Sequence, residues 1–565
     1  MKNKTFLLTG IVMAALLSFN TYAQSDEDLG VQEVQVTESF IPDVPEASKL
    51  ADIPQLFDTI KTEKNVRYTP INKRFESQLK LKPIKAAKIK GEILDKLYHT
   101  YIYGGVGNMS MPTSKIYYSS DRDKSFTYGL SLAYVESYAN VKSSFNEDIK
   151  VSAAFRETDF SAYAKKDFKF GIANAYLSRQ GHLFQAYGYN PNLNLEEKFT
   201  QEYWGYSSMS LSLQSKNTDK SKPSYFAKLH AYDLNEQTEN CLSFLLSAKQ
   251  TVGLNAYGID LGVDYDYNNL SEKYVFADSL TKELILTFYP SVTREVGGGS
   301  LNIGFELKSM DTRDSANVDL AIFPQIRYDY IFSEPYQSAY VGVRGGLDEN
   351  SYWTLSQKNP FILNALTTDG GGLDLINSQV KYDFYLGMNT YLGADINWSS
   401  EVSFASIQDM SFFELDKTSL YQNKFKVVYD DVIHFKWSSA IDWDINSKSN
   451  LNLQLNYNTY DLDSLQDYAY KPAITSKLGF SYNIGDKILP QIELVGVLDR
   501  STASDSTSSA PILNDIIDVN LALEYKYNSL FSANFKAKNL IGGYQVWENY
   551  PVLGPQVFFG LSFRF

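Results

Sequence analysis

The amino-acid sequence predicts an all-β protein: one transmembrane antiparallel β-barrel of about 22 strands, preceded by a short periplasmic or lumenal segment. Three observations carry this expectation. The last nine residues, Val557 to Phe565, read VFFGLSFRF. In them Val557, Phe559, Leu561, Phe563 and Phe565 are apolar at every second position, with Phe558, Gly560, Ser562 and Arg564 between them. Successive side chains of a strand point to opposite faces, so this ribbon has one oily side and one mostly polar side. The same alternation recurs from about Tyr98 onward, and short links between the alternating segments take turns with long ones. Ribbons of this kind, ending on an aromatic residue, suit a barrel whose outer band meets lipid.

Residues 1–23 read as a signal peptide. Lys2 and Lys4 precede an apolar run from Phe6 to Phe19, and Thr21-Tyr22-Ala23 places small residues where cleavage is expected after Ala23. The run is too short for a membrane-spanning helix, and nothing later approaches the roughly 20 apolar residues such a helix needs. An exported membrane protein without spanning helices satisfies its backbone by closing a barrel. The chain carries a formal charge of −14, which becomes −16 without the two leader lysines. That acidity argues against nucleic acid as a partner. The single cysteine, Cys241, excludes an internal disulfide and reads as a small apolar group, buried or facing lipid.

Residues 24–96 differ in texture. They contain Pro42, Pro45, Pro54, Pro70 and Pro83, and from Lys61 to Lys96 eleven Lys or Arg stand against four Asp or Glu. Proline at this density breaks long ladders. The segment is expected to run extended in the periplasm, docking a partner or filling the lumen. Its short alternating piece, Val34, Gln35, Val36 and Thr37, is expected to bind a partner by strand addition. Residues 97–565 are the barrel. Leu451, Leu453, Leu455 and Tyr457 alternate with Asn452, Gln454, Asn456 and Asn458; Val519, Leu521, Leu523 and Tyr525 alternate with Asn520, Ala522, Glu524 and Lys526. Polar positions such as Glu306, Asp442, Asp444 and Glu524 are expected to face the lumen. A basic segment beside an acidic lumen would be drawn into it or across its mouth. A chain lacking 24–96 is then expected to conduct ions better than the full chain.

The links set the topology. Short ones include Tyr527-Asn528-Ser529, Gly485-Asp486-Lys487, Asn446–Ser449 and Leu392-Gly393-Ala394. Long ones include Gly542–Pro555, Ser501–Ile516, Asp409–Asn423 and Asn350–Asn377. Short periplasmic turns alternating with long outer loops put the C-terminus in the periplasm. Residues 424–445 read as one long strand projecting past the membrane; 140–168 is irregular. Val557, Phe559, Leu561, Phe563 and Phe565 are expected to close the barrel and serve as its assembly signal.

A strand number near 22, the Glu33-Val34-Gln35-Val36-Thr37 run, and an end reading Ala537-Lys538-Asn539-Leu540, Tyr550-Pro551 and Phe565 together resemble the TonB-dependent receptor barrels of Bacteroidota. The resemblance covers roughly 95–565 in architecture, plus 33–37. It implies a plug domain filling the barrel. Residues 24–96 lack the globular αβ pattern and the arginine-glycine motifs of such a plug, so the expected protein is a receptor-type barrel without a full one.

No catalytic constellation stands out, and an enzyme is not expected. His99, His182, His230 and His434 are scattered, with no Cys, His or carboxylate at metal-ligand spacing. Gly370-Gly371-Gly372 reads as a flexible loop tip. No cofactor is expected. The first functional expectation is a scaffold subunit of a complex that assembles or exports outer-membrane proteins or surface lipoproteins. The alternative is a TonB-dependent or passive nutrient transporter. Partners would be outer-membrane lipid, other outer-membrane proteins, surface or periplasmic lipoproteins, and the barrel-assembly machinery, in the outer membrane of a Gram-negative bacterium.

Overall fold

Period-two patterning becomes a closed ring. The computed structural model describes residues 97–565, apart from 122, 124, 194–199, 218, 220, 235–238, 269–281, 312–317, 334–336, 364–374, 394, 418–420 and 503–511. The expectations placed on residues 1–96, including Val34, Gln35, Val36 and Thr37, and on Gly370 to Gly372 lie outside the described residues.

Among the described residues, 22 strands form one sheet. The first quarter comprises β1 (Thr100–Gly107), β2 (Met111–Ser119), β3 (Phe126–Ser137), β4 (Phe155–Asp167), β5 (Gly171–Gln185) and β6 (Gln201–Ser215). Next come β7 (Ser224–Leu234), β8 (Glu239–Val252), β9 (Asn255–Asn268), β10 (Lys282–Val296) and β11 (Gly299–Asp311). They are followed by β12 (Val318–Ser333), β13 (Gln337–Asp348), β14 (Ser378–Leu392), β15 (Ile396–Leu415) and β16 (Phe425–Asn446). The ring ends with β17 (Ser449–Leu462), β18 (Ile474–Tyr482), β19 (Ile488–Leu498), β20 (Ile516–Lys526), β21 (Phe531–Lys538) and β22 (Gln556–Arg564). Each strand pairs antiparallel with the next, and β22 pairs with β1 from Tyr101↔Arg564 to Gly107↔Phe558. Thr100 and Phe565 exchange backbone bonds of 2.8 and 3.0 Å at the seam. Closure leaves no free edge, which is what a sheet in hydrocarbon requires.

The expected alternation sorts outside from inside. Val557, Phe559, Leu561, Phe563 and Phe565 are all exposed, as are Ile303, Phe305, Leu521, Leu523, Phe384 and Leu386. Apolar surface wrapped around a whole wall exceeds what a water-soluble monomer tolerates and is the surface a bilayer covers. The opposite parity holds the polar groups. Tight turns join strands at the rim that carries the C-terminus. Between β10 and β11, Gly297 and Gly298 both take positive φ (60° and 82°), the geometry a two-residue hairpin turn needs.

On the lumenal face, tyrosine rings lie where the neighbouring strand has glycine. A Cβ added to Gly560 would sit 2.5 Å from the Tyr103 ring across the seam; one added to Gly387 would sit 2.2 Å from Tyr340, and one added to Gly342 would sit 2.5 Å from the Tyr385 hydroxyl. Glycine here makes room for a ring laid flat along the wall.

The long links all leave the opposite rim. Residues 424–445 lie almost wholly in one strand, as the sequence suggests, because β16 runs 22 residues and its partner β15 runs 20. β15 extends past Asp409, so the link after it is shorter than expected. The irregular 140–168 stretch resolves into a small ribbon, Asn140–Lys142 with Lys150–Ser152, followed by β4.

Candidate functional site

The site grows from the long-loop rim, where apolar residues that cannot face lipid must be buried some other way. Phe184 on β5, Trp204 on β6 and Leu234 on β7 are buried at the ends of their strands. They share one cluster with Phe413, Leu415, Phe425 and Val427 of β15 and β16. β5 and β16 stand eleven apart in a ring of 22, so these two groups belong to opposite walls. The cluster therefore spans the mouth.

Two loops fill the space between the walls. Residues 349–377, between β13 and β14, contain a helix of nearly two turns, α1 (Tyr352–Lys358). Ser351 caps it, its hydroxyl accepting from Thr354 N. Glu239, 1 % exposed on β8, also takes the helix N-terminus: Tyr352 N and Trp353 N donate to its carboxylate at 2.6 and 3.1 Å, and the Tyr232 hydroxyl adds a third bond at 3.0 Å. A carboxylate at the positive end of a helix, with its lone pairs occupied, tolerates burial. The helix then presents Tyr352 against Trp204 and stacks Trp353 on Tyr206, with centroids 4.1 Å apart. Residues 539–555, between β21 and β22, contribute Tyr550. Its ring stacks on Phe361 at 3.7 Å and is 1 % exposed. Each such ring contributes roughly 1.5–3 kcal/mol by burial alone.

Polar contacts fix the span. Lys424, next to the start of β16, puts Nζ 2.7 Å from Glu202 Oε1 on β6, with side chains only 12 % and 18 % exposed. Asn423 Nδ2 donates to Ala186 O at 2.8 Å, and the Tyr550 hydroxyl donates to Asn423 O. The β15–β16 hairpin reaches across because it is kinked. Its register shifts between Ile407 and Met410, and Asp409 takes φ 54°. Asp409 is held by Ser378 Oγ and by the Asp431 carboxylate. Buried Arg500 joins the β19–β20 loop to the loop that carries Tyr550 by donating to Asn514 O, Gln545 O and Val546 O.

Burial shifts two loop groups. Burial first, then the Asp264 carboxylate, lifts Glu349 to about 7. Burial first, then neighbouring Lys358, pushes Lys471 down to about 8.

Below the mouth the lumenal wall carries a charged patch on β12–β15. Arg327 grips Asp329 with bonds of 2.7 to 2.9 Å and lies over the Tyr340 ring. Arg344 bonds Asp383 and Glu401 at 2.9 and 2.8 Å and lies over Tyr385. Each charge has a partner, so the patch stiffens the wall.

The sequence-selected residues are distributed, not convergent. Glu306 on β11 lies 3.5 Å from Lys308 Nζ. Asp442 and Asp444 on β16 are brought together by Asn450, which donates to both at 2.6 and 3.0 Å. Glu524 on β20 meets Arg564 of β22 at 3.5 Å. Val557, Phe559, Leu561 and Phe563 of β22, with Phe565 just after it, line the outer seam. Cys241 is buried, its Sγ 3.4 Å from Ser243 Oγ. The four histidines remain apart, and among the described residues no group of three His, Cys, Asp or Glu is placed to hold a metal ion. Glu202, Glu239 and Lys424 were not singled out from the sequence, and Tyr550 was noted only as part of the Tyr550-Pro551 end. The one local signal was Ser351 ahead of Tyr352, Trp353 and Leu355, a helix start too short to stand out.

No family model and no curated protein matches the sequence. Solved structures do match in shape. The FrpB iron transporter from Neisseria meningitidis superposes with a TM-score of 0.63 at 9% identity, over 84% of this chain and 82% of that one. The closed form of the ferric-catecholate import receptor Fiu from E. coli K12 gives 0.59 at 9%, over 83% and 82%. The siderophore receptor PiuA from Acinetobacter baumannii gives 0.58 at 9%, over 83% and 82%. At such identities the likeness establishes the fold alone: this chain is a closed antiparallel barrel of 22 strands, the strand number its sequence suggests.

Proposed function

We propose that the chain is an outer-membrane import protein, a receptor-type barrel that takes up a nutrient from its long-loop side. The observation that carries this reading is the mouth. A ring of 22 strands encloses a wide lumen, and here loops and a kinked hairpin cross it with buried rings and a largely buried ion pair. A closable entrance on a barrel shaped like iron and siderophore receptors suits gated uptake. The short-turn rim and the C-terminus would face the periplasm. The basic stretch 61–96 would cover that end, and Val34, Gln35, Val36 and Thr37 would dock a periplasmic partner. Deleting the gene and comparing growth on single limiting nutrients tests the reading: a defect on one nutrient, restored by the full chain, is expected, and unimpaired growth on every nutrient tried overturns it.

The same mouth favours a second reading. An entrance braced by contacts between opposite walls also suits a fixed scaffold subunit of an assembly or export complex, bound to outer-membrane proteins or lipoproteins. Purification from mild detergent separates the two. A constant set of co-purifying subunits favours the scaffold; a barrel that purifies alone favours import.

A further inference from the structure

We propose that a small pocket on the lumenal side of the mouth binds an organic ammonium group. The pocket has a volume of about 150 Å³ and lies between the ends of β4 and β5 and the two loops that carry Phe361 and Leu553. Four aromatic side chains line it: Phe155, Phe184, Tyr187 and Phe361. His182 and Phe184 share the parity opposite to outward Leu177, so these two lining side chains lie on the lumenal face of the wall and not on the lipid face.

Three features select the ligand class. The first is ring orientation. Phe361 stands at 77° to Phe184 and at 78° to Tyr187, with centroids 5.7 and 6.1 Å apart. Rings set edge to face cannot collapse flat on one another, and their electron-rich faces attract a cation placed among them. The second is rigidity. The Tyr187 hydroxyl donates to Pro551 O at 3.0 Å, and Phe361 is backed by Tyr550. Walls already fixed lose little entropy on binding. The third is charge. Glu157 on β4 lies 3.5 Å from the ring of pocket-lining His182 and is half exposed, so it places a carboxylate at the edge. The cavity has room for a trimethylammonium-sized head, several waters' worth of space at ~30 Å³ each. Such a head is weakly hydrated, so aromatic faces can replace its water.

The inference does not rest on import. Binding at this pocket is read by titration, whereas import is read by growth, so either can fail alone. The test is titration of the full chain in detergent micelles with choline and with 3,3-dimethylbutan-1-ol, its uncharged isostere, followed by calorimetry or saturation-transfer NMR. Choline is expected to bind about tenfold more tightly than the isostere, from a desolvated cation–π contribution. Glu157→Gln, on a half-exposed side chain, and Phe155→Leu are each expected to weaken choline several-fold and leave the isostere nearly unchanged. Equal binding of the two probes overturns the proposal, as does no binding of either at millimolar concentration. Choline binding untouched by both substitutions, in protein that still shows heat-modifiable barrel migration, also overturns it.

Discussion

Lys424 and Glu202 form a largely buried ion pair at 2.7 Å although the strands beside them, β16 and β6, stand ten apart in a ring of 22. Contacts between strands so far round a barrel are possible only where one wall leans over the opening. Removing one partner leaves the other charge alone in a largely water-excluded site, at a cost of up to about 3 kcal/mol, below that of a fully buried pair. Glu202→Gln and Lys424→Met are each expected to loosen the mouth by about that much. The double substitution is expected to cost far less than their sum, measured as a double-mutant cycle by thermal unfolding. Additive losses would mean that the two side chains do not interact.

The seam between β1 and β22 depends on glycine for space. A methyl group at Gly560 would lie 2.5 Å from the Tyr103 ring. Gly560→Ala is expected to push that ring off the wall and to destabilise the barrel by about 1–3 kcal/mol. The barrel-to-unfolded shift in gel migration should move to lower temperature. Tyr103→Ala in the same chain should recover part of the loss; no recovery would show that the ring is not the cause.

The mouth is expected to be weakest between about pH 7 and 8. Glu349 is held at about 7, above its ordinary 4.5, so between those values the folded chain binds more protons and stability falls as pH rises. Lys471 is held at about 8, below its ordinary 10.5, so above 8 the unfolded chain binds more protons and stability rises with pH. Between the two values both groups are charged and both are poorly solvated. Tryptophan fluorescence followed during heating, from pH 5.5 to 9.5, should show a minimum in melting temperature. Glu349→Gln should flatten the acid arm and Lys471→Met the basic arm. A profile that these substitutions leave unchanged would remove both assignments.

Much of the barrel was legible because the membrane imposes a period of two. Leu521, Leu523 and Tyr525 read outward from spacing alone and are exposed. Glu306 and Glu524, polar positions in that alternation, pair with Lys308 and Arg564. Link lengths gave the two rims. The mouth was not legible, and the reason is geometric. Alternation says which face a residue takes but not which distant strand it meets, so nothing local joins Lys424 to Glu202 or Glu239 to the start of α1. The kink at Asp409 is equally silent, because an aspartate at positive φ follows from the bonds made by Ser378 and Asp431, not from its neighbours in sequence. Glycines opposite tyrosines are visible only once register is known.

The basic segment offers a separate test. If residues 61–96 cover the end opposite the loops, two closures lie in series. In planar bilayers the full chain should conduct little. Deleting 24–96, or Glu202→Gln alone, which leaves Lys424 without its partner, should each raise conductance, and both changes together should raise it most. A deletion that leaves conductance unchanged even with the mouth loosened would remove the segment from the account.

The closed mouth itself is tested most directly by crosslinking in intact outer membranes. In a Cys241→Ser background, Glu202→Cys and Lys424→Cys place one thiol on each wall. A short bis-maleimide is expected to join them in high yield, producing a looped chain of altered gel migration, while each single cysteine reacts slowly with a bulky maleimide. Rapid labelling of both cysteines with no crosslink would mean that the walls stand apart, contradicting the closed mouth.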